Sequence, residues 1–335
     1  MRLSFTFRTL LVLGLCVELH GQDLHYSQFF AAPMDVNPGL TGIFNGDLRF
    51  SGNYRAQWHS VPVNYTTFTG AVDKKFLRYN RRDFFSAGLL FNYDQAGDSK
   101  LRMGQLGLAG SYTFELKTNN FLSIGLQTVF SQRGFSMTDL TFDDQYDGSR
   151  FDPNLPHGES FNRTSRFIFD INAGFNYRWQ KSSRTKIDLG VGLFHINNPR
   201  IAFYEGDNYK MPLRLSLQAL GSFRTGKFLD VLLRGFYQDH GPFNETVLGV
   251  AGLLHISEKK GRELGLELGV NFRLKDAWIP MVRFHGRSWE AGVSYDYNHS
   301  PFRVATLKRG GPEFSFIYIL SKVKPLNKYK VCPIY

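Results

Sequence analysis

The densest group of potential metal ligands in the 335-residue sequence is a cluster of carboxylates between residues 133 and 166. Carboxylate oxygens are the ligands that Ca²⁺ prefers, but the run Asp143–Gly148 lacks the alternate spacing and the closing glutamate of an EF-hand loop. The sequence therefore favours an exposed polar loop over a calcium site. The members of the cluster are Asp139, Asp143, Asp144, Asp147, Asp152 and Glu159.

Residues that could serve as nucleophiles or bases are present without the spacing of a catalytic motif. The chain contains no Gly-x-Ser-x-Gly, no His-Glu-x-x-His and no Cys/His pattern typical of a metal site. His195, His255 and His285 fall within or at the end of predicted strands, where a hydrogen-bonded histidine is commoner than a ligand or a base. We therefore predict a protein that is not an enzyme and needs no cofactor.

The elements that position these residues are strands, because apolar and polar residues alternate with a period of two. In the segment 167–180, Phe169 and Phe175 share one face while Asp170 and Asn172 share the other. About fourteen such segments are predicted, each of roughly ten residues, which is enough for a tilted strand to cross a bilayer. They lie near 48–57, 64–75, 84–94, 104–117, 120–132, 167–180, 184–197, 212–225, 227–239, 246–258, 262–274, 277–286, 288–298 and 313–323.

The composition of the two faces predicts a transmembrane barrel rather than a soluble β-sandwich. The polar faces carry Gly, Ser, Asn and Gln with scattered charges, whereas the outer face of a soluble sandwich is rich in Lys and Glu. When an antiparallel sheet closes on itself, every backbone N–H and C=O group inside the lipid has a hydrogen-bond partner. The predicted fold is all-β: a transmembrane antiparallel β-barrel of about fourteen strands over residues 48–323.

The first 21 residues predict a secretory signal peptide that is cleaved before Gln22. Basic residues precede an apolar run at 10–17, which is too short to span a bilayer as a helix. Cys16 raises lipoprotein acylation as an alternative, but Leu15 stands before it where a small residue is needed. Removal of the signal leaves Cys332 as the single cysteine, so no intramolecular disulfide can form.

The lengths of the connectors predict how the barrel is oriented. Connectors after even-numbered strands are mostly short, while several after odd-numbered strands are longer, at 133–166, 198–211, 239–245 and 299–312. Outer-membrane barrels have short turns in the periplasm and long loops outside the cell. We therefore predict that the short turns and both termini lie on the periplasmic side.

Residues 22–47 are predicted to form a short periplasmic or plug segment ahead of the first strand. Aromatic and apolar residues are interrupted there by Pro33, Pro38 and Gly39, which exclude a long helix. From Leu48 the pattern changes to a period of two, as expected for a strand. Such a segment could fill or narrow the lumen of the barrel.

Two groups of motif residues lie at the beginning and the end of the mature chain. The first group is Tyr26, Ser27, Gln28, Phe29, Pro33, Asn37, Pro38, Leu40, Thr41, Gly42, Asn53, Tyr54, Arg55, Gln57 and Trp58, and the second is Cys332, Pro333 and Tyr335. These residues resemble the PorP/SprF family of type IX secretion system membrane proteins. The chain departs from the family pattern at Gly39, where Ala is commoner, and at Ile334, where a basic residue is common.

The resemblance implies an outer-membrane β-barrel of Bacteroidetes-type bacteria that is a non-enzymatic component of the type IX protein secretion system. The implied partners are outer-membrane lipid, periplasmic ring components of the secretion system, and secreted or surface-displayed cargo, which for some members includes the adhesins of gliding motility. The motif residues are then candidates for partner binding. The alternative is an outer-membrane porin or channel for small or hydrophobic solutes, which would need an open lumen.

The formal net charge of +11 raises nucleic acid as a partner, but no nucleic-acid motif accompanies it. The basic residues are spread over predicted turns and polar strand faces, which indicates solvated turns near lipid headgroups or periplasmic partners. We predict no binding of nucleic acid. The basic tail at residues 324–335 is predicted to lie in the periplasm and is a further candidate for partner binding.

Overall fold

The computed structural model describes residues 24–57, 65–77, 82–97, 100–137, 140–156, 158, 163–203, 206, 208–259, 261–300 and 307–321. The predicted signal peptide, Trp58, Cys332, Pro333 and the basic tail lie outside these residues, as do Asp139 and Glu159 of the carboxylate cluster.

Fourteen antiparallel strands form one closed sheet in which each strand pairs with its neighbours in sequence. Strand β1 closes the barrel on β14, with Leu48 opposite Leu320. The strands are β1 (Leu48–Gln57), β2 (Tyr65–Leu77), β3 (Phe84–Ala96), β4 (Leu101–Lys117), β5 (Asn120–Gly134), β6 (Ser165–Gln180), β7 (Lys186–Phe194), β8 (Arg214–Arg224), β9 (Leu229–His240), β10 (Phe243–Ser257), β11 (Leu264–Arg273), β12 (Ala277–Gly286), β13 (Trp289–Asn298) and β14 (Arg309–Leu320). The predicted fold class is confirmed.

The alternation of apolar and polar residues separates an outer face from an inner one. In β6, Phe169 and Phe175 are 43% and 48% exposed, while Asp170 and Asn172 are 5% and 2% exposed. A continuous apolar surface of this kind faces lipid rather than water. No helix among the residues described above is long and apolar enough to cross a membrane.

The two rims of the barrel differ in the length of their connectors. We call the rim formed by the connectors after odd-numbered strands the long-loop rim, and the opposite one the short-turn rim. The predicted long loop at 239–245 is wrong, because β9 continues to His240 and β10 already begins at Phe243, opposite it. The connector between the two strands is therefore only two residues long, Gly241 and Pro242, although it lies at the long-loop rim.

Residues 24–47, which we call the strap, lie inside the barrel. One α-helical turn, α1 (Pro33–Val36), is placed between two turns of 3₁₀-helix at Phe29–Ala31 and Pro38–Leu40. Proline at the first position of a helical turn is favourable because its missing N–H would have no acceptor there. The backbone and side chains of the strap are hydrogen-bonded to inward-facing residues of the wall, so the strap occupies the lumen.

The strap runs through the lumen from the long-loop half towards the short-turn rim. The carbonyls of Leu24 and His25 accept hydrogen bonds from Arg214 and Arg55, which lie at the long-loop ends of β8 and β1. At the other end, the amide of Asp47 donates to the carbonyl of Leu320 over 2.9 Å at the short-turn rim. The first residues that the structure describes, Leu24 and His25, therefore lie towards the long-loop rim. The two ends of the mature chain, which we predicted to lie in the periplasm, are outside the described ranges.

Candidate functional site

The apolar side chains of the strap form the core of the protein together with inward-facing residues of the wall. Phe29 stacks on Phe236 of β9 with 4.8 Å between the ring centroids. Met34 packs against Leu90 and Ala109 of β3 and β4. The main cluster consists of Phe29, Val36, Leu40 and Ile43 of the strap with Phe84, Phe236 and Val247 of the wall.

The wall recognises the main chain of the strap at Ser27 and Gln28. The two carboxylate oxygens of Glu313 each accept one backbone amide, from Ser27 and from Gln28, both over 2.7 Å. The carbonyl of Ser27 accepts a hydrogen bond from the amide of Asn271 over 2.9 Å. Because Glu313 and Asn271 are fully buried, these bonds replace water that the polar groups have lost.

The hydroxyl of Ser27 belongs to a buried network of charges. It donates to Asp296 over 2.6 Å and accepts from Arg273 over 2.6 Å. The other oxygen of Asp296 accepts from Arg55 over 2.6 Å and from Arg273 over 3.0 Å. Each charge of the network thus has an opposite charge beside it, which is the condition under which buried ions are tolerated.

The side chains of Gln28 and Phe30 contact the wall next to this network. The Gln28 carboxamide oxygen accepts from Ser315 over 2.7 Å and from Arg283 over 3.2 Å. The guanidinium groups of Arg234 and Arg283 lie 3.7 and 4.7 Å from the ring centroid of Phe30. A guanidinium group over an aromatic ring is favourable where water is excluded, so this part of the strap is fixed by its aromatic and polar side chains as well as by its backbone.

Asp35 in the middle of the strap and Tyr26 near its beginning contact the same wall residue, Thr69 of β2. Asp35 accepts hydrogen bonds from Asn92 over 2.8 Å and from Thr69 over 3.3 Å. The Tyr26 hydroxyl lies 2.7 Å from the Thr69 hydroxyl. Burial, reinforced by the nearby Asp35 carboxylate, raises the pKa of the Tyr26 phenol well above its ordinary value. Tyr26 is therefore a neutral hydrogen-bonding group at any physiological pH.

The turn at Asn37 lies directly against the barrel wall. The Asn37 amide donates to the Phe175 carbonyl over 2.8 Å, and its oxygen accepts from the Gly39 amide over 2.7 Å. A Cβ atom at Gly125 of β5 would overlap the backbone of Pro38, and one at Gly174 of β6 would overlap the Asn37 side chain. Glycine at these inward positions therefore permits the close approach of two backbones.

The last part of the strap is tied to the short-turn half of the wall. Asp73 of β2 accepts the amide of Gly42 over 2.7 Å and forms a bidentate pair with Arg49, with distances of 2.9 and 2.8 Å. The carbonyl of Thr41 accepts from Ser111 over 2.7 Å. Gly42 has a φ of +78°, a conformation that few other residues adopt easily. This turn leads the chain out of the lumen and into β1.

Most of the predicted motif residues meet inside the barrel. Ser27, Gln28 and Arg55 share the network around Asp296 and Glu313, although Arg55 is on β1. Asn53 is 1% exposed and faces the strap. The other motif residues of the strap that are buried are Tyr26, Phe29, Pro33, Asn37, Pro38, Leu40, Thr41 and Gly42.

Two motif residues of β1 do not belong to this buried group. Tyr54 points outwards and is 41% exposed, and Gln57 is half-buried at the end of the strand. Most of the described motif residues therefore lie at contacts between the strap and the wall, and few of them lie on an exposed surface. Trp58, Cys332 and Pro333 lie outside the described residues.

Sequence reasoning did not identify the wall residues that receive the strap. These are charged and amide residues at inward positions of strands, and the period of two already separates them from the lipid-facing residues. Ionisable residues within a membrane-spanning segment are costly and are retained where they have partners. That signal could have identified the receiving residues, which are Arg49, Asp73, Asn271, Arg273, Arg283, Asp296 and Glu313.

The three histidines considered as ligands or bases are hydrogen-bonded to carboxylates of the wall. His195 lies 2.8 Å from Asp170. His255 and His285 lie 2.8 Å from Asp230 and 2.7 Å from Glu267, respectively. Among the residues that the structure describes, no group of three or more His, Cys, Asp or Glu side chains is arranged to hold a metal ion.

The described part of the carboxylate cluster lies on an exposed loop between β5 and β6. Asp147 accepts the backbone amides of Ser149 and Arg150, each over 2.8 Å. These hydrogen bonds stabilise the anion and lower the pKa of Asp147 below its ordinary value. The carboxylate thus serves as the acceptor of a local turn.

The closed wall, the lipid-facing apolar belt and the anchored internal strap define a transmembrane β-barrel with its own N-terminal segment in the lumen. A barrel of this kind points to the outer membrane. The chain belongs to the family described as type IX secretion system membrane protein PorP/SprF, whose model matches residues 18–315. The family that the motifs predicted is thereby confirmed, and with it a coarse assignment to the type IX secretion system in the outer membrane.

The chain is also similar in structure to solved outer-membrane barrels, at low sequence identity. The CymD monoaromatic hydrocarbon channel is 9% identical, with 87% of this chain and 93% of that chain covered and a TM-score of 0.48. A FadL homologue of Pseudomonas aeruginosa is 12% identical, with 84% and 92% covered and a TM-score of 0.47. The toluene transporter TodX of Pseudomonas putida is 7% identical, with 85% and 92% covered and a TM-score of 0.47. No curated protein matches the sequence.

Proposed function

We propose that this chain is a non-enzymatic outer-membrane component of the type IX secretion system that supports the secretion or surface display of partner proteins. The observation that carries the proposal is the strap, which occupies the lumen and is fixed to the wall from Leu24 to Asp47. A barrel whose interior is filled by its own chain acts through its rims and its outer face. Membership of the PorP/SprF family supports the type IX secretion system as the system in which the barrel acts.

The partners that fit this proposal are periplasmic ring components of the secretion system and the cargo proteins that it exports, gliding adhesins among them. Ring components would meet the short-turn rim, if that rim faces the periplasm as connector lengths indicate. The buried motif residues then act by keeping the barrel in one shape. They do not contact the partners themselves, because a partner cannot reach side chains that lie inside the wall.

The rival function is a channel for small or hydrophobic solutes. It would need a continuous path through the lumen, and the strap stands across that path with its polar groups bonded to the wall. To conduct, the chain would have to break buried hydrogen bonds and ion pairs, each of which is costly to leave unmade. The geometry therefore supports the secretory function better.

Deletion of the gene in its host tests the two functions against each other. We expect particular proteins to disappear from the medium or the cell surface, while uptake of small solutes stays at its original level. Complementation with the unchanged gene should restore them. Liposomes that contain the purified full chain should not swell in isotonic sugar solutions. Reduced solute uptake with normal secretion, or rapid liposome swelling, would replace the proposal with the channel.

A further inference from the structure

In the short-turn half of the lumen, the strap covers one side of the wall and leaves the other side open. On the covered side, the inward side chains of Lys75 and Phe84 are 4% and 0% exposed. On the open side, the inward side chains of Lys186, Ser222 and Leu232 are half-buried. We call this open part of the lumen, which lies beside the β6–β7 and β8–β9 connectors, the mouth.

Cations outnumber carboxylates around the mouth. The segments 178–188 and 224–230 contain six cations and two carboxylates. Both carboxylates are already paired with arginines, each over 2.7 Å, so an excess of positive charge remains. The pairs are Arg178 with Asp188 and Arg184 with Asp230, and the other cations are Lys181, Lys186, Arg224 and Lys227.

Two of these cations, Lys186 and Arg224, point into the lumen rather than towards lipid. Lys186 lies opposite Gln180 of β6, and Arg224 lies opposite Asp230 of β9. Directly opposed residues of two antiparallel strands have their side chains on the same face. Gln180 and Asp230 are both 1% exposed and face the lumen. A lipid headgroup outside the wall therefore cannot reach the two cations, whereas an anion that enters from the short-turn rim can.

Within the described residues, neither of the two cations forms an ion pair. The carboxylates that act on the charge of Lys186 are Asp188 and Glu290. Each of them is paired with an arginine of a neighbouring strand instead, over 2.7 and 2.8 Å. The Arg224 guanidinium donates to the Gly226 carbonyl over 3.2 Å. Charged side chains inside a membrane-spanning wall are costly, and those that are retained commonly serve a binding site or a pathway.

Arg184 holds the connectors beside the mouth in one arrangement. Its guanidinium donates to the carbonyls of Gly226 and Lys227 over 3.2 and 2.8 Å, and to Asp230 over 2.7 Å. It also pairs with Glu258, directly after β10, over 3.1 Å. The cations of the mouth are therefore presented from a fixed backbone, and this reduces the entropy that is lost when a partner binds.

The ligand that fits the mouth is an acidic peptide segment. Its carboxylates can neutralise the cations, and its apolar side chains can cover the half-buried inward residues Leu220, Leu232 and Leu253. A free phosphate would leave these apolar residues uncovered, and the phosphate of a lipid stays outside the wall. Because the mouth opens at the rim that connector lengths assign to the periplasm, a periplasmic protein is the source of such a segment.

We propose that the mouth binds an acidic segment of a periplasmic partner protein, whose carboxylates lie on Lys186 and Arg224. Lys181 and Lys227 on the two connectors add to the attraction. This inference deepens the proposed function and rests on it for the periplasmic origin of the partner. It places the contact on one side of the short-turn rim and gives the partner a chemistry. Association between opposite charges of this kind is fast and sensitive to salt.

Binding of a synthetic acidic peptide provides the first test. The full chain is placed in nanodiscs of phosphatidylcholine and titrated with a fluorescein-labelled peptide that repeats the sequence Glu-Leu-Glu-Gly. A counterpart with Ser in place of Glu measures binding that does not depend on charge. Fluorescence anisotropy gives the dissociation constants. We expect saturable binding of the acidic peptide, which weakens as the salt concentration is raised, and no saturable binding of the counterpart.

Removal of single charges provides the second test. Lys186→Gln and Arg224→Gln should each raise the dissociation constant of the acidic peptide about fivefold, the upper end for one partly screened ion pair. Lys117→Gln is the matched control, because Lys117 is an exposed cation of the same rim but lies at the β4–β5 connector. It should leave the dissociation constant unchanged. Heat-modifiable migration in gels checks that every variant is folded.

Three results would overturn the proposal. The first is equal binding of the acidic peptide and its Ser counterpart. The second is an equal effect of Lys117→Gln and the two mouth variants, which would assign the binding to the charge of the whole rim. The third is phosphatidylglycerol that native mass spectrometry finds on the unchanged protein and not on Lys186→Gln, which would assign the cations to lipid. All these measurements use the isolated protein, so their failure is distinguishable from a failure of the secretory function.

Discussion

Replacement of Glu313 by glutamine tests whether the wall holds the strap by recognising its main chain. Each oxygen of this carboxylate accepts one backbone amide over 2.7 Å, from Ser27 and from Gln28. Glutamine keeps one oxygen and presents an NH₂ group to the other amide. One charge-assisted bond of about 1.5–3 kcal/mol is lost, and one buried N–H has no acceptor, so we expect a net cost of about 3 kcal/mol. That corresponds to about a hundredfold shift towards local opening of the strap.

Hydrogen exchange measured by mass spectrometry reports this opening directly. In the Glu313→Gln variant, peptides that cover residues 24–32 should exchange about a hundredfold faster than in the unchanged protein, because exchange follows the free energy of local opening. Peptides from β5 and β6 should keep their rates. Glu258→Gln is the matched control, since its carboxylate is 46% exposed and does not contact the strap. If residues 24–32 exchange at the same rate in both variants, the main-chain recognition by Glu313 is refuted.

Two further substitutions test the seat of the strap through the temperature at which the folded barrel loses its fast migration in gels. Gly125→Ala places a Cβ atom on the strap backbone and should lower the free energy of unfolding by about 1–3 kcal/mol. Gly110→Ala is the control, because its Cβ atom meets open space, and it should have no such effect. Equal unfolding temperatures of the two variants would contradict the close approach of the strap to Gly125. Asp73→Asn breaks the buried ion pair with Arg49 and should lower the free energy of unfolding by about 3–5 kcal/mol. A decrease in unfolding temperature no larger than that of Glu258→Gln would show that the ion pair does not hold the strap.

The fold was largely predictable because its signal is local. In a strand successive side chains point to opposite faces, so Phe169 and Phe175 on one face and Asp170 and Asn172 on the other already indicate lipid and lumen. The turn between β9 and β10 was not predictable in this way. Whether residues 239–245 form a loop depends on pairing between two strands, which continues here up to His240 and Phe243.

The candidate site was predictable only as a set of motif residues. Nothing in the spacing of Ser27 and Arg55 says that both bind Asp296, or that Glu313 accepts the amide next to Ser27. These partners are brought together by closure of β1 on β14, which places the two ends of the barrel sequence side by side.

The sequence by itself determined the strands, their two faces and the family, because alternation and short motifs are properties of neighbouring residues. The tertiary structure alone decided that residues 24–47 occupy the lumen and that the motif is buried there. The physical reason is that a buried charge or amide is stable only beside a partner. Those partners are supplied by strands far apart in the chain, after the wall has closed around the strap.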